Sequence, residues 1–155
     1  MLPRATAPAL LLALALALAL GSCTARPPRP DAATLARATA ESQRTGLIEE
    51  RKEDVIRQLS TCESGGHGPS ERLIHGYRGM YLGRLQFTPT TVIGFVKMRD
   101  GMTLTRAEAI ELAHDYERAG SLAKFIIFDL EEPWHWPVCS RKLGIPAQIR
   151  AIKTL

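Results

Sequence analysis

Glu63 is the residue best placed in the sequence for acid–base chemistry. It follows Leu59 by four positions and Ile56 by seven, so a helix that buries those two side chains directs the Glu63 carboxyl along its apolar face. Partial burial and the negative end of the helix dipole both disfavour a carboxylate and raise its pKa. A carboxyl that is protonated at neutral pH can donate a proton to a leaving group, which is general-acid chemistry.

Trp134 and Trp136 are the two tryptophans of the chain, and Pro133 and Pro137 flank them. An aromatic face offers a sugar ring a flat apolar platform, and an indole N–H can donate outward. Core packing explains the same residues equally well. The sequence therefore leaves a binding role and a packing role open for each tryptophan.

Cys62 and Cys139 allow two interpretations. If Cys23 carries a lipid, they are the two remaining cysteines, and in an oxidising compartment they would pair. A disulfide that closes so long a loop would stabilise the fold by roughly 4 kcal/mol. The alternative is a zinc site in which His67 and His135 add two imidazoles to the two sulfurs. The exported setting favours the disulfide, and we expect no metal and no organic cofactor.

Two helices are predicted in the segment that leads to Glu63. Residues 33–44 are Ala-rich and polar with a weak apolar stripe, which indicates an exposed stalk, and the pair Thr45-Gly46 is expected to interrupt it. A better-specified helix begins at Leu47 and carries apolar residues near one face. The pair Gly65-Gly66 is expected to end this second helix.

Glycine is frequent between positions 65 and 85, where no periodicity is sustained, so we predict loops with a short hairpin. The pair Thr88-Pro89 then begins a helix, because threonine is a good N-cap and proline suits the first helical position. The pair Asp100-Gly101 is expected to close it. Loops on a helical scaffold often carry function.

A capping box that starts at Thr105 opens a further predicted helix, which is expected to run to Gly120. Ser121 is expected to cap the next helix, over about residues 122–130, and Pro133 stops it. Residues 125–128 could alternatively form a buried strand, since periodicity does not decide so short an apolar run. The fold class predicted is mainly α, with residues 46–155 as one domain.

The N-terminal segment resembles a bacterial lipoprotein leader. One early cation, Arg4, precedes an apolar run over residues 7–20, which is too short for a spanning helix and indicates a signal peptide over residues 1–22. Leu20-Gly21-Ser22-Cys23 resembles a lipobox, in which the cysteine is acylated and becomes the new N-terminus. We therefore expect an exported protein held to a membrane of the cell envelope by lipid on Cys23, with residues 23–45 as tether and stalk.

The charge pattern excludes one class of partner. The formal net charge is +4 and the basic residues are scattered, so the sequence shows no basic stripe for nucleic acid. A mild positive bias suits an anionic cell-wall polymer or a membrane surface. We therefore expect no nucleic-acid binding.

Three blocks of the sequence form a recognisable pattern. They are Cys62-Glu63-Ser64-Gly65-Gly66, then Gly83-Arg84-Leu85-Gln86-Phe87 with Thr90, and finally Trp136-Pro137-Val138-Cys139-Ser140-Arg141-Lys142-Leu143-Gly144. Together they resemble the resuscitation-promoting-factor domain, a small relative of lysozyme and of soluble lytic transglycosylases. The likeness covers about residues 55–145 and includes the cysteine spacing. One departure is Arg84, which stands where the family's second block has a second glycine.

The resemblance implies roles for matched residues. Glu63 would be the catalytic acid in a lysozyme-like α+β fold, and Cys62 and Cys139 would form a disulfide. Gln86 would contact substrate and Thr90 would support it. The expected substrate-binding set also includes residues that the sequence places near these blocks. That set is Ser64, Tyr77, Tyr81, Gln86, Thr90, Trp134 and Trp136.

The reaction implied is cleavage of the bond between N-acetylmuramic acid and N-acetylglucosamine in peptidoglycan, with Glu63 protonating the leaving oxygen. No partner carboxylate is evident, since the other candidate acids are better explained as surface charges, caps or salt-bridge members. These acids are Asp100, Asp115, Asp129, Glu131 and Glu132. Hydrolysis and transglycosylation both stay open. The expected partner is the glycan strand.

Two other classes of function are consistent with the sequence. The domain could bind peptidoglycan or a division-machinery protein through the same groove without catalysis. It could also be a structural envelope protein in which Glu63 satisfies backbone groups at a helix end. An open groove with Tyr81 or Tyr77 near Glu63 would favour catalysis, whereas Arg84 paired with Glu63 would lower the Glu63 pKa.

Overall fold

The structure is a computed structural model that describes residues 31–65 and 75–155, and this part of the chain is mainly helical. All of its elements belong to one compact unit, Ala32–Leu155. The predicted signal peptide, Cys23, the tether to residue 30 and His67 lie outside the described residues. Within the described ranges, no helix is both long enough and apolar enough to cross a membrane.

Helix α1, Ala32–Ser64, is one continuous helix of 33 residues. The predicted break at Thr45-Gly46 is therefore wrong. A glycine inside a helix costs only about 1 kcal/mol, which the hydrogen bonds of an unbroken helix outweigh. Residues 32–46 are exposed, whereas Val55 and Leu59 are buried. The helix ends where predicted, at Gly65, whose φ of 81° suits glycine.

A two-stranded antiparallel hairpin follows, as the glycine-rich segment predicted. Strand β1, His75–Gly76, pairs with β2, Tyr81–Leu82, so that His75 lies opposite Leu82. An additional bridge joins Leu82 to Phe87. Gly83 lies between them with φ 68°, and a Cβ at this position would come 1.8 Å from the carbonyl oxygen of Ala113. This turn can therefore approach the next helical layer only with glycine.

Helices α2, Pro89–Asp100, and α3, Arg106–His114, begin at the predicted caps. The Thr88 side chain accepts a hydrogen bond of 3.1 Å from the Thr91 N–H, and Gly101 ends α2 in the left-handed conformation. The capping box at Thr105 is complete, because the Glu108 carboxylate accepts a hydrogen bond of 2.7 Å from the Thr105 N–H. The predicted caps at Thr88, Gly101 and Thr105 are confirmed.

The predicted run of α3 to Gly120 is wrong, because α3 ends at His114 and α4 covers Tyr116–Lys124. Asp115 accounts for the break. Its N–H bonds the Glu111 carbonyl as the C-cap of α3, and its carboxylate accepts from the N–H groups of Glu117 and Arg118 as the N-cap of α4. Ser121, expected to be a cap, lies inside α4.

The chain continues from α4 into a π-helical turn, Phe125–Asp129, which overturns the strand alternative for residues 125–128. Ile126 and Ile127 are fully buried there, so the apolar run reflects burial rather than strand pairing. A 3₁₀ turn, Pro133–His135, precedes α5, Pro137–Leu143, and α6, Ile145–Lys153.

The core lies where α1 packs against α4, α5 and α6, with α2 and α3 packed together beside it. This arrangement brings the C-terminal end of α1 next to the start of α5. The hairpin turn and the 3₁₀ turn lie at the same end of the core. The fully buried large side chains are Ile56, Leu59, Leu85, Leu122, Ile126, Ile127 and Ile145, with Val55, Val92 and Val96.

Candidate functional site

The Cys62–Cys139 disulfide joins the last turn of α1 to α5, with a Cα–Cα distance of 5.9 Å. The disulfide prediction is confirmed. The zinc alternative is overturned, because both sulfurs are bonded to each other and can no longer ligate a metal as thiolates. In addition, residues 31–65 and 75–155 contain no group of three His, Cys, Asp or Glu side chains that could hold a metal ion.

A groove of about 220 Å³ opens beside this disulfide. Its lining comes from four places in the fold: the end of α1, the hairpin and its following turn, the 3₁₀ turn, and the start of α5. The described residues that line it are Glu63, Tyr81, Gln86, His135, Trp136, Pro137 and Val138.

Glu63 is partly buried at the C-terminal end of α1, and this burial raises the pKa of its carboxyl above the ordinary value of 4.5. No described cation forms an ion pair with Glu63. Arg84 lies elsewhere, because its guanidinium packs over the Tyr116 ring, 4.6 Å from the ring centroid. The arginine-bearing loop therefore does not neutralise Glu63, and the carboxyl keeps the property that a general acid needs.

Gln86 and Tyr81 form the hairpin side of the groove. Gln86 has a left-handed backbone, φ 53°, and its side-chain amide donates to the Gly83 carbonyl at 2.7 Å. That bond fixes the amide and leaves its carbonyl oxygen as an acceptor. Tyr81 is 40% exposed. The neighbours Leu85 and Phe87 are buried in the core.

The two tryptophans have different environments. Trp136 is 4% exposed, donates its indole N–H to the Leu85 carbonyl at 2.7 Å, and packs edge-on against Phe87. It therefore supports the groove as a core residue. Trp134 is 60% exposed, so its ring is largely accessible to solvent.

Among the described members of the expected substrate-binding set, Ser64, Thr90 and Trp134 do not line the groove. Ser64 donates its hydroxyl hydrogen to the Ser60 carbonyl at 2.8 Å. Thr90 is exposed in the first turn of α2. The side chain of Tyr77 lies outside the described part of the structure.

The contact between Glu132 and His135 is not among the predictions made from the sequence. His135 lines the groove, and its Nε2 lies 3.2 Å from the Glu132 carboxylate. The sequence predicts Glu132 as a surface charge, cap or salt-bridge member, and His135 as a ligand of the alternative zinc site. The available signal was their spacing of three positions, which brings two side chains together on a helical turn.

No protein-family model, curated protein or solved structure matches the chain. The groove is therefore the feature that indicates a function. It combines a partly buried carboxyl with a raised pKa, a fixed amide, a phenol and an imidazole, and it is open to solvent. Such a set can bind a polar, hydroxyl-rich ligand and donate a proton to it.

Proposed function

We propose that this protein cleaves the glycan strands of peptidoglycan, with Glu63 as the general acid. The observation that carries the proposal is the position of Glu63, which lies in an open groove, is partly buried and has a raised pKa. A raised pKa increases the fraction of the carboxyl that carries a proton, and a general acid transfers such a proton to the leaving oxygen.

In the proposed reaction, the Glu63 carboxyl protonates the glycosidic oxygen between N-acetylmuramic acid and N-acetylglucosamine. The bond between C1 and that oxygen breaks as an oxocarbenium-like centre develops on the sugar. Glu63 becomes a carboxylate in this step, and the negative charge then faces the developing positive charge. A hydroxyl group completes the substitution at C1.

The rest of the groove suits a carbohydrate. The carbonyl oxygen of Gln86 can accept a hydrogen bond from a sugar hydroxyl or N-acetyl N–H, while the Tyr81 hydroxyl can donate or accept. Trp134 offers an exposed aromatic face. Ser64, Thr90 and Tyr77 are kept as weaker candidates, because no described contact ties them to the groove.

Two further features support the proposal. The sequence blocks around Glu63, Gln86 and Cys139 resemble the resuscitation-promoting-factor domain, and we propose a lysozyme-like fold on that basis. The disulfide is typical of an exported protein. Together with the leader sequence, it suits a lipoprotein anchored through Cys23 in the cell envelope, where peptidoglycan is the accessible polymer.

The test is mass analysis of the fragments that the purified mature protein releases from peptidoglycan. Glu63→Gln keeps the shape of the side chain and removes the acid, and Glu50→Gln on the exposed face of α1 is the matched control. We expect fragments from the parent and from Glu50→Gln, with a loss of at least about 100-fold in Glu63→Gln. Equal release by all three, or no release by the folded parent, would overturn the proposal.

A further inference from the structure

We propose that His135, oriented by Glu132, is the second catalytic residue of the groove and accepts the proton of the hydroxyl that attacks C1. This inference rests on the proposed function, since it assigns the base to the reaction in which Glu63 is the acid. The observation behind it is that His135 and Glu63 line the same groove. Glu63 follows Cys62 in the chain and His135 precedes Cys139, and these two cysteines form the disulfide.

The His135 ring is held on two sides. Its Nε2 lies 3.2 Å from the Glu132 carboxylate oxygen, and its plane stands at 90° to the Phe95 ring with the centroids 4.9 Å apart. Because a carboxylate accepts hydrogen bonds, the neutral imidazole carries its hydrogen on Nε2. The lone pair is then on Nδ1, and this nitrogen is the base.

The backbone under the ring is fixed as well. The Pro133 carbonyl accepts a hydrogen bond of 2.5 Å from the buried Ser140 hydroxyl and one of 3.1 Å from the Trp136 N–H. The bond from Trp136 closes the 3₁₀ turn, and the bond from Ser140 joins this turn to α5. A base whose backbone and ring are both held in place is preorganised for proton transfer.

The disulfide covalently joins the chain segments that carry the acid and the base. Cys62 is the neighbour of Glu63, and Cys139 follows His135 by four positions along the chain. Movement of α1 relative to α5 would separate the two groups, and the disulfide opposes that movement. The disulfide therefore limits how far the segment that carries Glu63 can move from the segment that follows His135.

The acid must carry a proton and the base must have a free lone pair. Burial raises the pKa of the Glu63 carboxyl, and the Glu132 carboxylate accepts the Nε2 hydrogen of the imidazole, which leaves Nδ1 to face the substrate proton. In the step proposed, Glu63 gives its proton to the leaving oxygen and the C1–O bond breaks. The attacking hydroxyl oxygen bonds C1, and its proton passes to His135 Nδ1. His135 then releases this proton to solvent, and the Glu63 carboxylate takes up a proton from solvent, so both groups return to their starting states.

The attacking hydroxyl has two possible sources with the same chemistry. Water would give a reducing-end product, and the C6 hydroxyl of the muramoyl residue itself would give a 1,6-anhydro product. His135 accepts the proton in either case. The product end, read by mass, identifies the source and leaves the role of His135 unchanged.

The experiment compares turnover of a soluble glycan fragment by the parent, His135→Ala, His135→Gln and Glu132→Gln, with Glu131→Gln as the matched control beside the pair. Glu131 pairs with Lys153 and does not line the groove. We expect kcat of His135→Ala to fall by about 100- to 10,000-fold with little change in KM. Added imidazole should restore part of that kcat, because a free base can occupy the vacated space. Glu132→Gln should lose less, since it removes orientation and keeps the base.

Failure of this inference differs from failure of the proposed function. If Glu63→Gln is inactive while His135→Ala keeps the parental kcat, the glycosidase proposal stands and the role of His135 is overturned. Loss of turnover in His135→Ala without any recovery by imidazole also overturns it. Unfolding temperatures are compared first, and His135→Gln, which preserves a polar side chain, replaces His135→Ala if the latter does not fold.

Discussion

The indole N–H of Trp136 donates a hydrogen bond of 2.7 Å to the backbone carbonyl of Leu85. The two residues are 51 positions apart in the chain, and both are buried. Leu85 precedes Gln86 and Trp136 follows His135, so this bond ties the hairpin side of the groove to the 3₁₀ turn. The groove thus has a hydrogen bond on one side and a disulfide on the other.

We expect Trp136→Phe to lower the free energy of unfolding by about 1–3 kcal/mol, because it leaves the buried Leu85 carbonyl without its donor. Urea unfolding followed by circular dichroism measures the change. Trp134→Phe is the control, since that ring is 60% exposed, and its effect should stay within about 0.5 kcal/mol. Equal losses in the two variants would contradict the structural role of the indole N–H.

Two glycines should respond in opposite ways to alanine. Gly94 lies within α2 and a Cβ there would meet no atom within 4 Å, so Gly94→Ala should stabilise the protein by about 0.5–1 kcal/mol. Gly83 has φ 68° and abuts the Ala113 carbonyl, so Gly83→Ala should destabilise it by about 2–5 kcal/mol. Thermal unfolding of both variants is the measurement. A harmless Gly83→Ala would refute the close approach of the hairpin turn to α3.

The element ends that could be predicted from the sequence are those set by local chemistry. Thr88, Thr105 and Gly101 each act within one turn of their own position, and the structure shows all three caps. The helix break at Asp115 was not predicted, because this residue lies within a continuous helical pattern and caps two helices at once. Gly46 does not end the helix, because the free energy that one glycine costs is smaller than the stabilisation from continuing the helix.

The groove was only partly predictable for a related reason. The position of Glu63 at a helix end follows from its spacing to Leu59, but the approach of His135 depends on how α5 packs against α1. Likewise, Arg84 could have neutralised Glu63, and only the fold shows it against Tyr116. Contacts between residues far apart in the chain depend on tertiary packing that local patterns do not encode.

The disulfide should contribute strongly to stability. We expect the Cys62→Ala/Cys139→Ala double variant to lose about 2–5 kcal/mol of unfolding free energy, because the unfolded chain regains the freedom of a 77-residue loop. The measurement is urea unfolding of the variant and of the parent under non-reducing conditions. Unfolding of the variant in the presence of reductant is the control and should give the same value. A parent that unfolds like the double variant would contradict the pairing.

The raised pKa of Glu63 makes a pH-dependent prediction about folding. Below the ordinary value of 4.5 the carboxyl is protonated in both folded and unfolded chains. Between 4.5 and the raised pKa, the folded protein holds a proton that the unfolded chain has released, so the unfolding free energy falls as pH rises through this window. Above the raised pKa the contribution is lost.

Glu63→Gln cannot titrate, so its stability relative to the parent should increase with pH across that window and then level off. Urea unfolding of both proteins at a series of pH values from about 4 to about 8 measures the difference. Glu50→Gln, on the exposed face of the same helix, is the control. A difference that shrinks with rising pH would mean that the folded state favours the carboxylate. Glu63 would then be a charge-paired group, and a role as general acid would be excluded.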